Sequence, residues 1–205
     1  MIKRIISLLL STVVFVSVLT SCGGEETIKY DEAEVIEAAS DLIYKSQEFN
    51  DIFWGKGLNY IEGSEYDNGI YSPAEPLTKY TSLAEITAAA QKVFSSGYMT
   101  TVKLSVLSAQ FGDTGVDGYS RYYQEDANEP IMVRTDYSPV LVDENAFLYE
   151  TLTVVGAEGQ TVILTISLKV TRGETSQVID RRIRLVYEDG WKLDSHTFAN
   201  FNENL

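Results

Sequence analysis

The run TVILTISLKV, residues 161–170, constrains the fold more than any other stretch of the chain. Val162, Leu164, Ile166, Leu168 and Val170 fall on one side, while Thr161, Thr165, Ser167 and Lys169 make the other side mostly polar. A helix would smear this period of two around its circumference; only a strand gathers all five apolar side chains on one face. The run therefore reads as a half-buried antiparallel strand. Residues 146–155 and 177–188 alternate similarly, joined to it through GAEGQ and RGETS, and EDGW turns the chain into a short last strand, 191–194. Together they predict an antiparallel meander.

The first half of the chain is patterned differently. Asp31 followed by Glu34 has the spacing of a capping box, and Val35, Ala39, Leu42, Ser46, Phe49 and Phe53 then recur at helical intervals. One amphipathic helix is predicted over 32–53, ended by Gly55 and Gly57. Ser82 with Glu85 starts a second, with Leu83, Ile86, Ala90 and Val93 on one face and Gly97 as its stop. Residues 98–111 fit a helix through Met99, Val102, Val106 and Ala109, although Val102, Leu104 and Val106 also alternate; helix is the reading taken. DNG at 67–69 signals a hairpin turn between two short extended pieces, and YSRYYQ and IMVRTDY flank the turn EDANEP. Helices followed by a meander give an α+β architecture, with the helices covering one sheet face.

Ahead of this domain lies a leader. Lys3 and Arg4 precede an apolar stretch from Ile5 to Leu19, 15 residues long, whereas a membrane-spanning helix needs about 20. The stretch closes on Leu19-Thr20-Ser21-Cys22, which resembles the lipobox of bacterial lipoproteins. That resemblance implies cleavage before Cys22 and attachment of a diacylglycerol to its sulfur. Two acyl chains, at about 0.8 kcal/mol per buried methylene, anchor durably where one is marginal. Cys22 is the only cysteine, so it forms no internal bridge, and no basic partner nearby would make it a nucleophile. The organisation expected is a signal peptide over 1–21, a lipidated polar leash over 22–30 and one domain over 31–205, held outside the cytoplasm on a bacterial membrane.

The chain carries 16 basic and 30 acidic residues, and two of the basic ones belong to the leader. Such acidity argues against nucleic acid and against an anionic membrane face, and favours cationic partners or simple solubility. Catalytic patterns are thin. His196 is the single histidine and follows the last strand, where exposure or a local bond is expected. No serine sits in a nucleophile elbow, and no glycine-rich loop opens a helix to cradle phosphate. GDTGVDG offers only Asp113 and Asp117, too few for a calcium loop. No metal or cofactor is therefore assigned. Asp180, Arg182 and Arg184 alternate opposite Ile179, Arg181 and Ile183, a pattern that reads as a solvated charged face or an ion-pair ladder across neighbouring strands.

The element order, closing on LVYEDGWKLDS, resembles the nuclear-transport-factor-2-like (cystatin-like) superfamily, whose helices pack into a curved antiparallel sheet to form a cone. More narrowly, YKSQEFNDIFWGKGLNYIEG and YSPAEPLTKYTSLAEITAAAQKVFSSGYM look similar to the IseA-type inhibitors of cell-wall DL-endopeptidases. That resemblance implies acidic surface loops that plug the cleft of a secreted cysteine endopeptidase. The acidic candidates here are Glu62, Glu65 and Asp67 in one loop and Glu125, Asp126 and Glu129 in the other. Phe53, Trp54, Tyr60, Tyr66 and Tyr71 either cap the core or form an aromatic binding surface. Two functions stand at this point. One is a non-catalytic, lipid-anchored binding protein that restrains a secreted cell-wall hydrolase; the other is a small-molecule carrier or enzyme using the cone interior.

Overall fold

Asp31 caps the first helix as its spacing to Glu34 predicts: its Oδ1 accepts the Glu34 amide at 3.0 Å. In the computed structural model, residues 27–64, 69–77, 79–108 and 120–202 are described. The leader, Cys22, Glu65, Tyr66, Asp67 and the GDTGVDG segment lie outside the described residues. Helix α1 runs Glu32–Trp54 and buries Val35, Ala39, Leu42, Ile43, Phe49, Ile52 and Phe53. Gly55 closes it, its amide reaching the carbonyls of Asn50 and Asp51, both at 3.0 Å. Among the described residues no helix is long and apolar enough to cross a membrane.

The second helix, α2, spans Leu83–Ala90 with Ser82 as cap; Glu85 Oε2 accepts the Thr81 amide at 2.6 Å. It stops at Gln91 and not at Gly97. The reason is tertiary. Residues 93–95 leave the helix to bond the last strand, with Leu193 N donating to Val93 O and Ser95 N to Leu193 O. Ser95 then caps a third helix, α3, Ser96–Ser105, and Gly97 sits in its first turn. The expected helix over 98–111 is thus real but shifted, and it yields to a strand after Val106.

Among the described residues eight strands follow or interleave. β1 (Tyr71–Pro73), β2 (Leu107–Ser108), β3 (Tyr122–Tyr123) and β4 (Met132–Arg134) form a small sheet in the order β1-β4-β3-β2, with β2 and β3 parallel. β5 (Glu144–Glu158), β6 (Thr161–Arg172), β7 (Thr175–Tyr187) and β8 (Trp191–Leu193) form the antiparallel meander, in chain order. Gly159 and Gly173, at φ 55° and 58°, stand first in the two tight turns that join its long strands, as glycine-first hairpin turns require. The architecture is α+β with two sheets.

The five alternating residues of β6 are all fully buried, as are Ile183 and Leu185 of β7. They share one continuous core with the inner stripe of α1. Each such burial is worth about 1.5–3 kcal/mol. Between helix and sheet runs the C-terminal segment 195–202, which buries Thr197, Phe198 and Ala199. Thr197 Oγ1 accepts from Asn50 Nδ2 at 2.7 Å and lies 2.7 Å from Ser46 Oγ, so the two polar residues on the buried face of α1 exist to hold this strap. Asp143 grips its far end: Arg172 binds its carboxylate through Nε (2.5 Å) and Nη2 (2.9 Å), and the Phe201 amide donates to the same group.

Candidate functional site

The aromatic residues singled out in the sequence are placed by the core. Tyr71 is 1% exposed and packs edge-on against Tyr123 at 4.8 Å, its hydroxyl donating to Ser120 O. It offers no partner any surface, which corrects its place among the candidate binding residues. Phe53 is fully buried. Trp54 is half-buried, and its indole N–H donates to Tyr98 Oη at 3.1 Å. Burial pushes that Tyr98 phenol up to about 12, against the Trp54 hydrogen bond and the charge of Arg181. Tyr60 bridges Ala74 and packs on the core. Phe53, Trp54 and Tyr60 therefore belong to the main core, Tyr71 sits in a small separate cluster with Tyr123 and Met132, and Tyr66 lies outside the described residues.

The stretch FWGKGL is read by its neighbours in β3. Tyr122 Oη donates to Ile52 O at 2.7 Å and accepts the Leu58 amide at 3.0 Å. Its phenol is also pushed up to about 12, chiefly by burial. Arg121, 3% exposed, donates from Nη2 to Gly55 O at 2.7 Å and lies over the Tyr137 ring at 4.2 Å. The turn after α1 is thereby clamped from outside, and the small sheet is fastened to the C-terminal end of α1.

The acidic candidates separate. Glu125, Asp126 and Glu129 are exposed on the turn between β3 and β4. That turn is braced from within: Asp126 Oδ1 accepts the Asn128 amide at 2.9 Å, and Gln124 Nε2 donates to Glu129 O at 2.7 Å. Gln124 Oε1 in turn accepts the Leu83 amide at 2.8 Å, tying the turn to the start of α2. Glu62 is exposed in the loop that precedes β1. In the β1–β4 register Tyr71 faces Arg134 and Pro73 faces Met132. Residues 59–61 run antiparallel beside 73–75, so the loop holding Glu62 leaves at the Tyr71 end, and the 124–130 turn leaves at the Pro73 end. Glu62 and the 124–130 turn therefore stand towards opposite ends of β1, and Glu65 and Asp67 lie outside the described residues.

On the meander, Asp180, Arg182 and Arg184 face solvent; Ser167 Oγ donates to Asp180 at 2.7 Å, and Arg184 lies 3.7 Å from Asp194. Arg181 points inward, 8% exposed, and its Nη2 meets His196 Nε2. Since a guanidinium only donates, His196 accepts there. Its ring leans on Phe198 at 4.7 Å, so this histidine is held among its neighbours. Among the described residues no group of three or more His, Cys, Asp or Glu is placed to hold a metal ion.

A groove that the sequence reading missed lies between α1 and β5. Ala33, Ile36, Glu37, Ser40, Asp41 and Tyr44 line one wall and Tyr149 and Leu152 the other, around a volume of about 800 Å³. Its second wall is made by an irregularity. Leu148 pairs with Ser167, but the next pair is Thr153 with Thr165, so β5 bulges outward between them. Thr151 mends the break, its Oγ1 donating to Leu148 O at 2.7 Å and accepting the Ser167 amide at 2.8 Å. The phenol of Tyr149 is raised by burial, partly offset by a hydrogen bond from Gln47 at 3.3 Å. The first wall could have been found: Ala33, Glu37, Ser40, Asp41 and Tyr44 form a second helical stripe off the core-facing one.

Comparison with known proteins adds no family. No family model matches the chain, and no curated protein matches it in sequence.

Proposed function

We propose that this chain is a lipid-anchored, non-catalytic binding protein on the outer face of a bacterial membrane, and that it restrains a secreted cell-wall DL-endopeptidase by occlusion. The observation that carries this reading is the acidic turn 124–130. Three exposed carboxylates sit on a loop held in shape by its own hydrogen bonds and by the start of α2. A loop that is already ordered loses little freedom on docking, and its charge suits a basic cleft. The lipobox-like Leu19-Thr20-Ser21-Cys22 supplies the tether.

The fold is read here as the cone of the nuclear-transport-factor-2-like superfamily, supported by a long first helix laid on an antiparallel meander that closes through EDGW. An interior ligand draws no support from the described residues, since the inner stripe of α1 and the buried face of the sheet share one continuous core with Ala199. Titrating the leader-free domain into a DL-endopeptidase assay tests the proposal. Activity is expected to fall in a saturable way and to recover with Glu125→Lys and Glu129→Lys. A flat curve overturns the inhibitory reading.

A further inference from the structure

We propose that the groove between α1 and β5 is a docking site for an extended, basic peptide segment of a partner protein. This goes beyond the inhibitory reading, since it uses neither the acidic turn nor the lipid.

Charge and shape point the same way. Glu37 and Asp41, one helical turn apart, put two carboxylates on the α1 wall. Asp41 is held only by exposed Lys45 at 2.6 Å, a surface pair worth little and easily exchanged for a stronger cation. Two phenol rings, Tyr44 and Tyr149, line the groove with these carboxylates. Tyr44 is 70% exposed, a large cost-free invitation for a ring face to meet a guanidinium or ammonium. Ala33, Ile36 and Leu152 supply an apolar floor, suited to the methylene stems of lysine or arginine whose heads reach the carboxylates. A volume of about 800 Å³ lies in the range of ligand clefts.

The backbone favours an extended occupant. Among the described residues β5 is the edge of its sheet and pairs with β6 alone in the meander order. An edge strand can add a further strand, with alternate side chains entering pockets beside it. The bulge interrupts the ladder at residues 149–152, so an added strand would pair along the regular stretch 144–148 while Tyr149 and Leu152 line the groove beside it. A second copy of this chain is repelled by the net charge of −14, and an anionic lipid surface by the groove's own carboxylates.

The test uses the full chain in a non-ionic detergent and a fluorescein-labelled decapeptide of alternating arginine and threonine, read by anisotropy. Saturable binding is expected, weakening with added salt, absent for the glutamate–threonine counterpart, and reduced at least tenfold by Glu37→Lys and by Tyr44→Ala. Both side chains are exposed, so thermal melts of the variants are expected to match the parent. Glu174→Lys, on the exposed turn between β6 and β7, is expected to leave binding unchanged. No saturable binding overturns the proposal, as does an equal loss in Glu174→Lys, which would mean unspecific charge attraction. Self-association or binding to anionic vesicles through the same groove residues would overturn it too.

Discussion

Gly57 shows how much one missing side chain can do. Its φ of +81° lies in the left-handed region, and a Cβ there would overlap the Arg121 guanidinium and the Tyr122 hydroxyl, with Arg121 Cζ at 2.8 Å. Gly57→Ala therefore strains the backbone and pushes apart the clamp on the turn after α1; a loss of about 2–3 kcal/mol is expected in urea unfolding. An unchanged midpoint would mean that the clamp is decorative. Tyr98 and Tyr122 make a second test at this scale. Both phenols are raised to about 12, mainly by burial, from an unfolded value near 10. The folded state holds these protons more tightly, so the stabilisation is complete below pH 10 and is lost as pH climbs towards 12. The total at stake is about 2–3 kcal/mol for each ring. Absorbance of ionised tyrosine is expected to show these two phenols losing their protons only as the fold opens. Ionisation of both with secondary structure intact would contradict this.

Among the elements, β5 is the one whose shape depends on a single hydroxyl. Thr151 both donates to Leu148 O and accepts from Ser167 N, replacing ladder bonds that the bulge removes. Thr151→Val keeps the branched shape and leaves both backbone groups unpaired, at about 1–3 kcal/mol. Amide exchange at residues 148–153 and 166–167 is expected to quicken ahead of the rest of the sheet; uniform protection would count against the bulge as a built feature. Bulge and groove also mark where sequence reading stopped. The alternation of β6 and the caps at Asp31 and Ser82 were readable because each is set by neighbours within a few residues. The end of α2 was not, since Val93 and Ser95 are drawn off by Leu193, about a hundred residues away. Strands as short as Leu107–Ser108 and Tyr122–Tyr123 carry no period to detect. The acidic turn could be read from EDANEP, but the groove needs Tyr44 and Tyr149 brought together by the fold.

At the scale of the molecule, α1 sets the geometry. Its 23 residues span about 34 Å, with Ile28 bonded to Gly159 just ahead of its start and the small sheet clamped to its end. Counting back from Thr27 to Cys22 leaves a leash reaching at most about 3.5 Å per residue, so a lipid on that sulfur would hold the α1 start near the membrane. The small sheet with its acidic turn would then lie at the other end of the helix, away from the bilayer. This arrangement, and the binding role proposed for it, hang on the modification of one thiol. Mass spectrometry of the protein from its native host reads that thiol directly. A chain beginning at Cys22 and carrying a diacylglycerol on sulfur is the expected result; a chain that keeps residues 1–21 and a free thiol would contradict the account.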